Sequence, residues 1–311
     1  MVNSDITLDS QIMSTEIKGS IVAIVTPMHG DGSLDLRAFD RLVNWHVEAG
    51  TKGIVVVGTT GESATLSMEE HCDLVAHCVE VGGQRIPIIA GTGSNSTDEA
   101  LYFTESARKN GADACLLVTP YYNKPSQEGL FQHFKAVAEG VDIPQILYNV
   151  PSRTACDMDL QTVDRLAGLS NIVGIKDATG DIPRGLELVD KCGDRLSVYS
   201  GEDAISLALM EGGASGTISV TANVAPNLMA EMCSLALAGD IAGAAEVDRK
   251  LAALHSALFR EANPIPVKWA LVKMGLIESG IRLPLVELTS KYHIQVSDAL
   301  EQAGISFPVA A

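Results

Sequence analysis

QILYNVPSRTACDMDLQTVDRLAGLSNIVGIKD, residues 145–177, holds two short apolar runs, QILYN (145–149) and VGIKD (173–177), on either side of an amphipathic stretch. Each run is too short for a helix and is apolar on both alternate sets of positions. A strand buried on both faces reads this way, and strands of that kind belong to parallel sheets. Moving outward, six more short runs follow, several of them apolar throughout: IVAIVT (21–26), GIVVV (53–57), PIIAG (87–91), ACLLV (114–118), SVYSG (197–201) and GTISV (216–220). The runs start about 20–35 residues apart, as repeated βα units require.

The segments between them have helical patterning. Leu36 to Gly50 sets Leu36, Phe39, Leu42, Val43 and Trp45 on a helical repeat and stops at glycine. Ser67 followed by Glu70 is a capping box, and Ser126 with Gln127 and Glu128 opens another helix after Pro125. Eight strands with helical crossovers fit either an open doubly wound sheet or a closed barrel. No G-x-G-x-x-G follows the first strand, and the unit count favours closure. The expected fold is α/β, a (β/α)8 TIM barrel over residues 18–238. Past Gly239 the strand runs cease. Residues 239–311 are expected to form a small C-terminal helical domain of three or four helices, broken at Asn263-Pro264 and near Pro284. Residues 1–17 are expected as a disordered tail, with Met13 as an alternative start.

The 311 residues are 46% apolar and 5% aromatic, and the formal charge is −17. So acidic a chain repels phosphate backbones and anionic membranes, so neither a nucleic acid nor a membrane is an expected partner. No apolar run reaches the roughly 18 residues that a membrane span needs. The first twelve residues carry two Asp and no basic residue, unlike a signal or transit peptide. The six cysteines form no C-x-x-C pair and read as buried free thiols of a reducing compartment, so a cytoplasmic location is expected. The seven histidines show no H-x-H or H-E-x-x-H spacing. No protein-bound metal and no cofactor are expected. A nucleotide-binding P-loop and a G-x-S-x-G elbow are also missing from the sequence.

In a barrel of this kind the chemistry sits at the C-terminal ends of the strands. Lys176 follows Val173-Gly174-Ile175 inside a strand that should be buried. Burying an ammonium is costly and favours the free amine, which Schiff-base formation with a small 2-oxo acid demands. The alternative is a structural lysine paired with an acid such as Asp177. Tyr148, one strand earlier at the same level, could relay protons, or could be an ordinary core tyrosine. Thr59 and Thr60 lie in a Gly-bracketed turn that could hold a carboxylate, or that needs Thr only for shape. Arg153 follows a Pro turn at the barrel mouth, where it could grip a second carboxylate or simply be solvated.

The blocks GSIVAIVTPM (19–28), VGTTGESATL (57–66), TPYYNKPSQEG (119–129), LYNVPSRT (147–154), GIKDATG (174–180), ISVTAN (218–223) and NPIPVK (263–268) together resemble the dihydrodipicolinate synthase family, also called 4-hydroxy-tetrahydrodipicolinate synthase. The resemblance runs from about Gly19 to Leu288. It implies condensation of pyruvate with Lys176, attack of the enamine on aspartate 4-semialdehyde, and ring closure that frees the lysine. It implies a proton relay of Thr59, Tyr148 and Tyr122, with Tyr122 reaching the neighbouring subunit's site in a homotetramer built as a dimer of dimers. By the same resemblance Arg153 steadies the aldehyde substrate's carboxylate, Thr60 holds that of pyruvate, and the Ile218 backbone lies close by. Related aldolases acting on N-acetylneuraminate, 2-keto-3-deoxy sugar acids or hydroxy-oxoglutarate would share the lysine and tyrosine. Thr59-Thr60 with Ser152-Arg153, and Asn-Pro-Ile-Pro-Val-Lys, favour the synthase. A catalytically silent ligand-binding barrel and a scaffold acting only through assembly are the readings outside enzymology, and the intact Lys-Tyr-Tyr-Thr set speaks against both.

In lysine-sensitive members of the family an effector site lies at the dimer interface. The matching positions are Ser63, Ala64, His71, Asn95, Glu99 and Tyr121, so L-lysine is an expected feedback inhibitor. Glu99 suits the α-ammonium of lysine, while His71 and Asn95 offer polar contacts to its far end and its carboxylate. Met68 departs from the polar or aromatic residue often found there, which should weaken binding.

Overall fold

The structure is a computed structural model, and it describes residues 17–307. The expected N-terminal tail and the alternative start at Met13 lie outside the described residues, except for Ile17, which is buried inside the barrel. Eight parallel strands close in sequence order: β1 Gly19–Ala23, β2 Gly53–Val56, β3 Ile88–Gly91, β4 Ala114–Val118, β5 Gln145–Asn149, β6 Ile172–Asp177, β7 Ser197–Ser200 and β8 Gly216–Ser219. β1 pairs with β8 through Gly19↔Gly216 to Val22↔Ser219, which closes the ring. The continuous apolar runs follow from this geometry, because side chains alternate between two buried faces. Ile21, Val55, Ile89, Leu116, Ile146 and Ile218 fill the barrel interior. Val22, Ile54, Val56, Leu117, Leu147 and Ile175 point outward into the layer under the helices.

That outer layer comprises α1 Leu36–Glu48, α2 Met68–Gly82, α3 Thr97–Lys109, α4 Gln127–Gly140, α5 Pro151–Thr154, α6 Leu160–Leu166, α7 Ile182–Cys192, α8 Ser206–Glu211 and α9 Pro226–Leu237. The starts are encoded locally. Asp35, Ser67, Ser96, Ser126, Asp159 and Asp181 each accept a backbone N–H of the first turn, and Ser67 with Glu70 completes a capping box. Such caps stabilise a helix by about 1 kcal/mol each. In α1 the buried side is Ala38, Phe39, Leu42, Val43 and His46, while Leu36 at the first position is exposed.

Beyond Gly239 the described chain is helical: α10 Ile241–Ala257, α11 Ile265–Lys273 and α12 His293–Gln302. α10 lies against α9 and carries α12 on another side. The segment between α10 and α11 crosses the open end of the barrel and supplies Phe259 to Asn263 to the cavity there. Five of the six cysteines are buried, Cys72 is half-buried, and all are free thiols. Among the described residues no helix is long and apolar enough to cross a membrane.

Candidate active site

Strand register fixes the centre of the site. Lys176 on β6 is the Cα partner of Tyr148 on β5 and of Tyr199 on β7. Its side chain enters the barrel and is only 5% exposed, with Nζ 4.3 Å from the centroid of the Tyr148 ring. Asp177 does not pair with it. The next residue along a strand faces the other way, and the Asp177 carboxylate is held by Arg184 Nε at 3.0 Å and Thr179 Oγ1 at 2.5 Å. Lys176 makes no ion pair with any described carboxylate. Room for its stem comes from Gly201, where a Cβ would stand 3.0 Å from Lys176 Cε and 2.6 Å from Ala178 Cβ.

A cavity of about 470 Å³ opens above this pair. Thr59, Thr60, Tyr148, Arg153, Lys176, Glu202 and Asn263 line it. The turn carrying the two threonines is tightly wound: Val57 has φ +50° and Glu62 has φ +58°, both left-handed. A β-branched residue there stores strain of roughly 1–3 kcal/mol, so the surroundings must hold the turn. Thr26 Oγ1 donates to Gly61 O at 2.8 Å, and the buried Glu62 carboxylate pairs with Lys268 of α11. Burial pulls the Lys268 ammonium down while Glu62 pulls it back up. Removing one partner of such a buried pair costs about 3–5 kcal/mol.

Asn263 joins the polar walls. Its Nδ2 donates to Thr60 Oγ1 at 2.9 Å, and its carbonyl accepts from Arg153 Nη2 at 3.1 Å. Its block, NPIPVK, carries no residue with an expected role. Glu202, two residues beyond the end of β7, also lines the cavity. Burial, with Asp203 beside it, pushes its carboxyl above the usual range against the pull of Lys176 and Arg153. Residues 203–206 positions apart in sequence leave no local signature, so the Asn263–Thr60 contact and the Glu62–Lys268 pair were invisible there.

Two expected residues lie elsewhere. Tyr122 is 89% exposed on the loop after β4, with φ +74°, and does not line this chain's cavity. Ile218 is fully buried as the Cα partner of Ile21 and is outside the cavity lining, to which Val220 two residues later belongs.

Residues 16–303 match the sequence model of the Dihydrodipicolinate synthetase family. The chain belongs to that family. It is 59% identical over 294 residues to a 4-hydroxy-tetrahydrodipicolinate synthase of Nitrosospira multiformis, covering 94% of this chain and 98% of the relative. It is 57% identical to the chloride-inhibited dihydrodipicolinate synthase of Acinetobacter baumannii, solved in complex with pyruvate. That match has a TM-score of 0.92 and covers 93% of this chain and 100% of the other. The dihydrodipicolinate synthase of Cyanidioschyzon merolae, solved with lysine bound, is 36% identical with a TM-score of 0.90, covering 94% of this chain and 99% of the other.

This member of the dihydrodipicolinate synthetase family has a second cavity, of about 500 Å³, beside the first. Thr59, Val150, Arg153 and Asn263 line both. Ser63, Ala64, His71, Glu99 and Tyr121 come together in its wall, with Met68. Asn95 is outside that lining and donates from Nδ2 to Tyr121 O at 3.2 Å. His71 Nε2 sits 2.9 Å from Gly91 O, and the ring stacks on Phe103. A carbonyl only accepts, so Nε2 carries the proton and Nδ1 is an acceptor. Burial brings the His71 pKa down to about 4. Glu99 accepts from Ser94 Oγ at 2.7 Å.

Proposed function

We propose that this chain is a 4-hydroxy-tetrahydrodipicolinate synthase that condenses pyruvate with L-aspartate 4-semialdehyde through a Schiff base at Lys176. The observation that carries this reading is a buried lysine amine that lies against Tyr148, faces a cavity, and has no carboxylate partner. The names of its full-length relatives support the synthase over the sugar-acid aldolases.

The amine adds to the pyruvate keto carbon and water leaves, giving an imine. Loss of a methyl proton gives the enamine, whose carbon attacks the aldehyde carbon while the new alkoxide takes a proton. The α-amine of the second substrate then attacks the imine carbon, expels Lys176 Nζ and closes a six-membered ring. Tyr148, with Thr59 and a partner subunit's Tyr122, moves these protons in our reading. Thr60, fixed by Asn263, holds the pyruvate carboxylate, and Arg153 takes that of the aldehyde. Ile218 would contribute only through backbone.

The same reading assigns the second cavity to L-lysine, the amino acid to which this reaction leads. Ser63, Ala64, His71, Glu99 and Tyr121 would surround it, with Asn95 acting through Tyr121. His71 Nδ1 suits an ammonium rather than a carboxylate. The assembly in this reading is a homotetramer of paired dimers, in which the exposed Tyr122 would reach a neighbouring site, and a cytoplasmic location suits the free thiols. The test is turnover of the two substrates by purified protein. A protein that traps pyruvate yet ignores aspartate 4-semialdehyde would be a different aldolase.

A further inference from the structure

Strand β7 is followed by Gly201, Glu202 and Asp203, and the two acids differ in what they touch. Asp203 is 2% exposed, and its Oδ2 accepts the N–H groups of Val220 at 3.0 Å and Thr221 at 2.8 Å. It is committed to the turn after β8. Glu202 is held by its backbone alone. Its N–H donates to Ser200 Oγ at 3.3 Å, and its carbonyl accepts from Ser200 Oγ at 2.8 Å and Ser206 Oγ at 3.1 Å. Gly201 before it leaves room for the stem of Lys176, since a Cβ there would stand 3.0 Å from Lys176 Cε, so Glu202 begins one residue from a position that packs beside the central amine.

The Glu202 carboxylate lines the cavity that holds Lys176 and Arg153. Among the described residues it makes no hydrogen bond and no ion pair. The cavity's other carboxylate, Glu261, is already engaged by the Thr289 hydroxyl. A carboxylate drawn out of water without a partner is unfavourable, and burial is the main influence on its proton affinity. Lys176 and Arg153 act on it only at a distance. The unmet partner is therefore a cation that arrives with the ligand.

We propose that Glu202 is a specificity-determining residue that binds the α-ammonium of the amino-aldehyde substrate while Arg153 takes its carboxylate. This deepens the synthase reading and rests on it. Opposite charges line one cavity, so a zwitterion meets both, whereas an aldehyde acid without the amine meets only Arg153. The ammonium–carboxylate contact is a charge-assisted hydrogen bond in a partly desolvated site, where such bonds are strong. It also fixes the nitrogen that later closes the ring.

The experiment is steady-state kinetics of Glu202→Gln and Glu202→Asp at saturating pyruvate, with L-aspartate 4-semialdehyde as substrate and succinate semialdehyde as competitor. Glu202→Gln is expected to raise KM for aspartate 4-semialdehyde about tenfold or more. Its inhibition by succinate semialdehyde and its borohydride trapping of pyruvate are expected to stay within about twofold of the parent. Glu202→Asp, which keeps the charge, should recover part of the KM. An unchanged KM, an equal loss of affinity for succinate semialdehyde, or loss of pyruvate trapping would each overturn the proposal. Failure of the synthase reading looks different: the parent itself would trap pyruvate and not turn over aspartate 4-semialdehyde.

Discussion

Lys176 Nζ lies 4.3 Å from the centroid of the Tyr148 ring, and the two residues are Cα partners across β5 and β6. The ring face supports a cation, and the phenol stands beside the amine where carbinolamine and enamine protons must move. Tyr148→Phe keeps the ring and removes the hydroxyl. Its kcat is expected to fall about 10²–10⁴-fold, with little change in thermal midpoint. A kcat equal to the parent's would take Tyr148 out of the relay.

Tyr122 is almost fully exposed in a single chain, so the part in the relay proposed for it would require a neighbouring subunit. Lys176→Ala and Tyr122→Phe proteins should each be close to inactive. Mixing them with confirmed subunit exchange should restore activity, because hybrids then hold one site with both residues intact. Absence of recovery would count against a shared site.

Millimolar L-lysine is expected to lower the steady-state rate, and Glu99→Ala to relieve that inhibition. The effect would pass through Arg153, Asn263 and Thr59, which line both cavities. Because burial brings the His71 pKa down to about 4, that ring stays neutral. The inhibition should therefore show no step near the ordinary histidine pKa of about 6.5. Full sensitivity in Glu99→Ala would remove L-lysine from this cavity.

Acid stability should depend on the bridge between Arg282 and α2. Two hydrogen bonds of 2.7 and 2.6 Å from Arg282 are the chief reason the Glu70 carboxyl falls from 4.5 to about 2. The folded pKa lies below the unfolded one. The contribution is thus complete above pH 4.5 and is lost as pH falls toward about 2. Thermal midpoints measured down that range should drop less steeply in Glu70→Gln. Parallel curves for variant and parent would exclude Glu70 from the acid response.

The barrel was legible because burial on both faces leaves several strands apolar on both alternate sets of positions, and β4 and β5 fall on the runs read from sequence. β1 did not. IVAIVT placed it at 21–26, whereas the strand is Gly19–Ala23. Gly19 reads as a turn residue, yet it pairs with Gly216, where a Cβ would stand 2.1 Å from Gly19 O. Further along, Val25 N leaves the ladder for Asn223 Oδ1 at 3.0 Å, a contact made by a residue 198 positions away. The site divides the same way. Lys176, Tyr148, Thr59 and Thr60 sit at strand ends, where the fold itself predicts chemistry. Asn263 comes from a crossing segment with no signal in local sequence, and Glu202 shares the strand end after β7 with Asp203, from which only their contacts distinguish it.

The central claim is that Lys176 is the covalent residue. Borohydride reduction in the presence of pyruvate, followed by peptide mass analysis, tests it most directly. The account predicts that the Lys176 peptide alone gains the reduced pyruvate adduct as activity disappears. Lys176→Arg should gain none, since a guanidinium stays protonated and forms no imine. An unmodified Lys176 peptide in an enzyme that turns over both substrates would contradict the account.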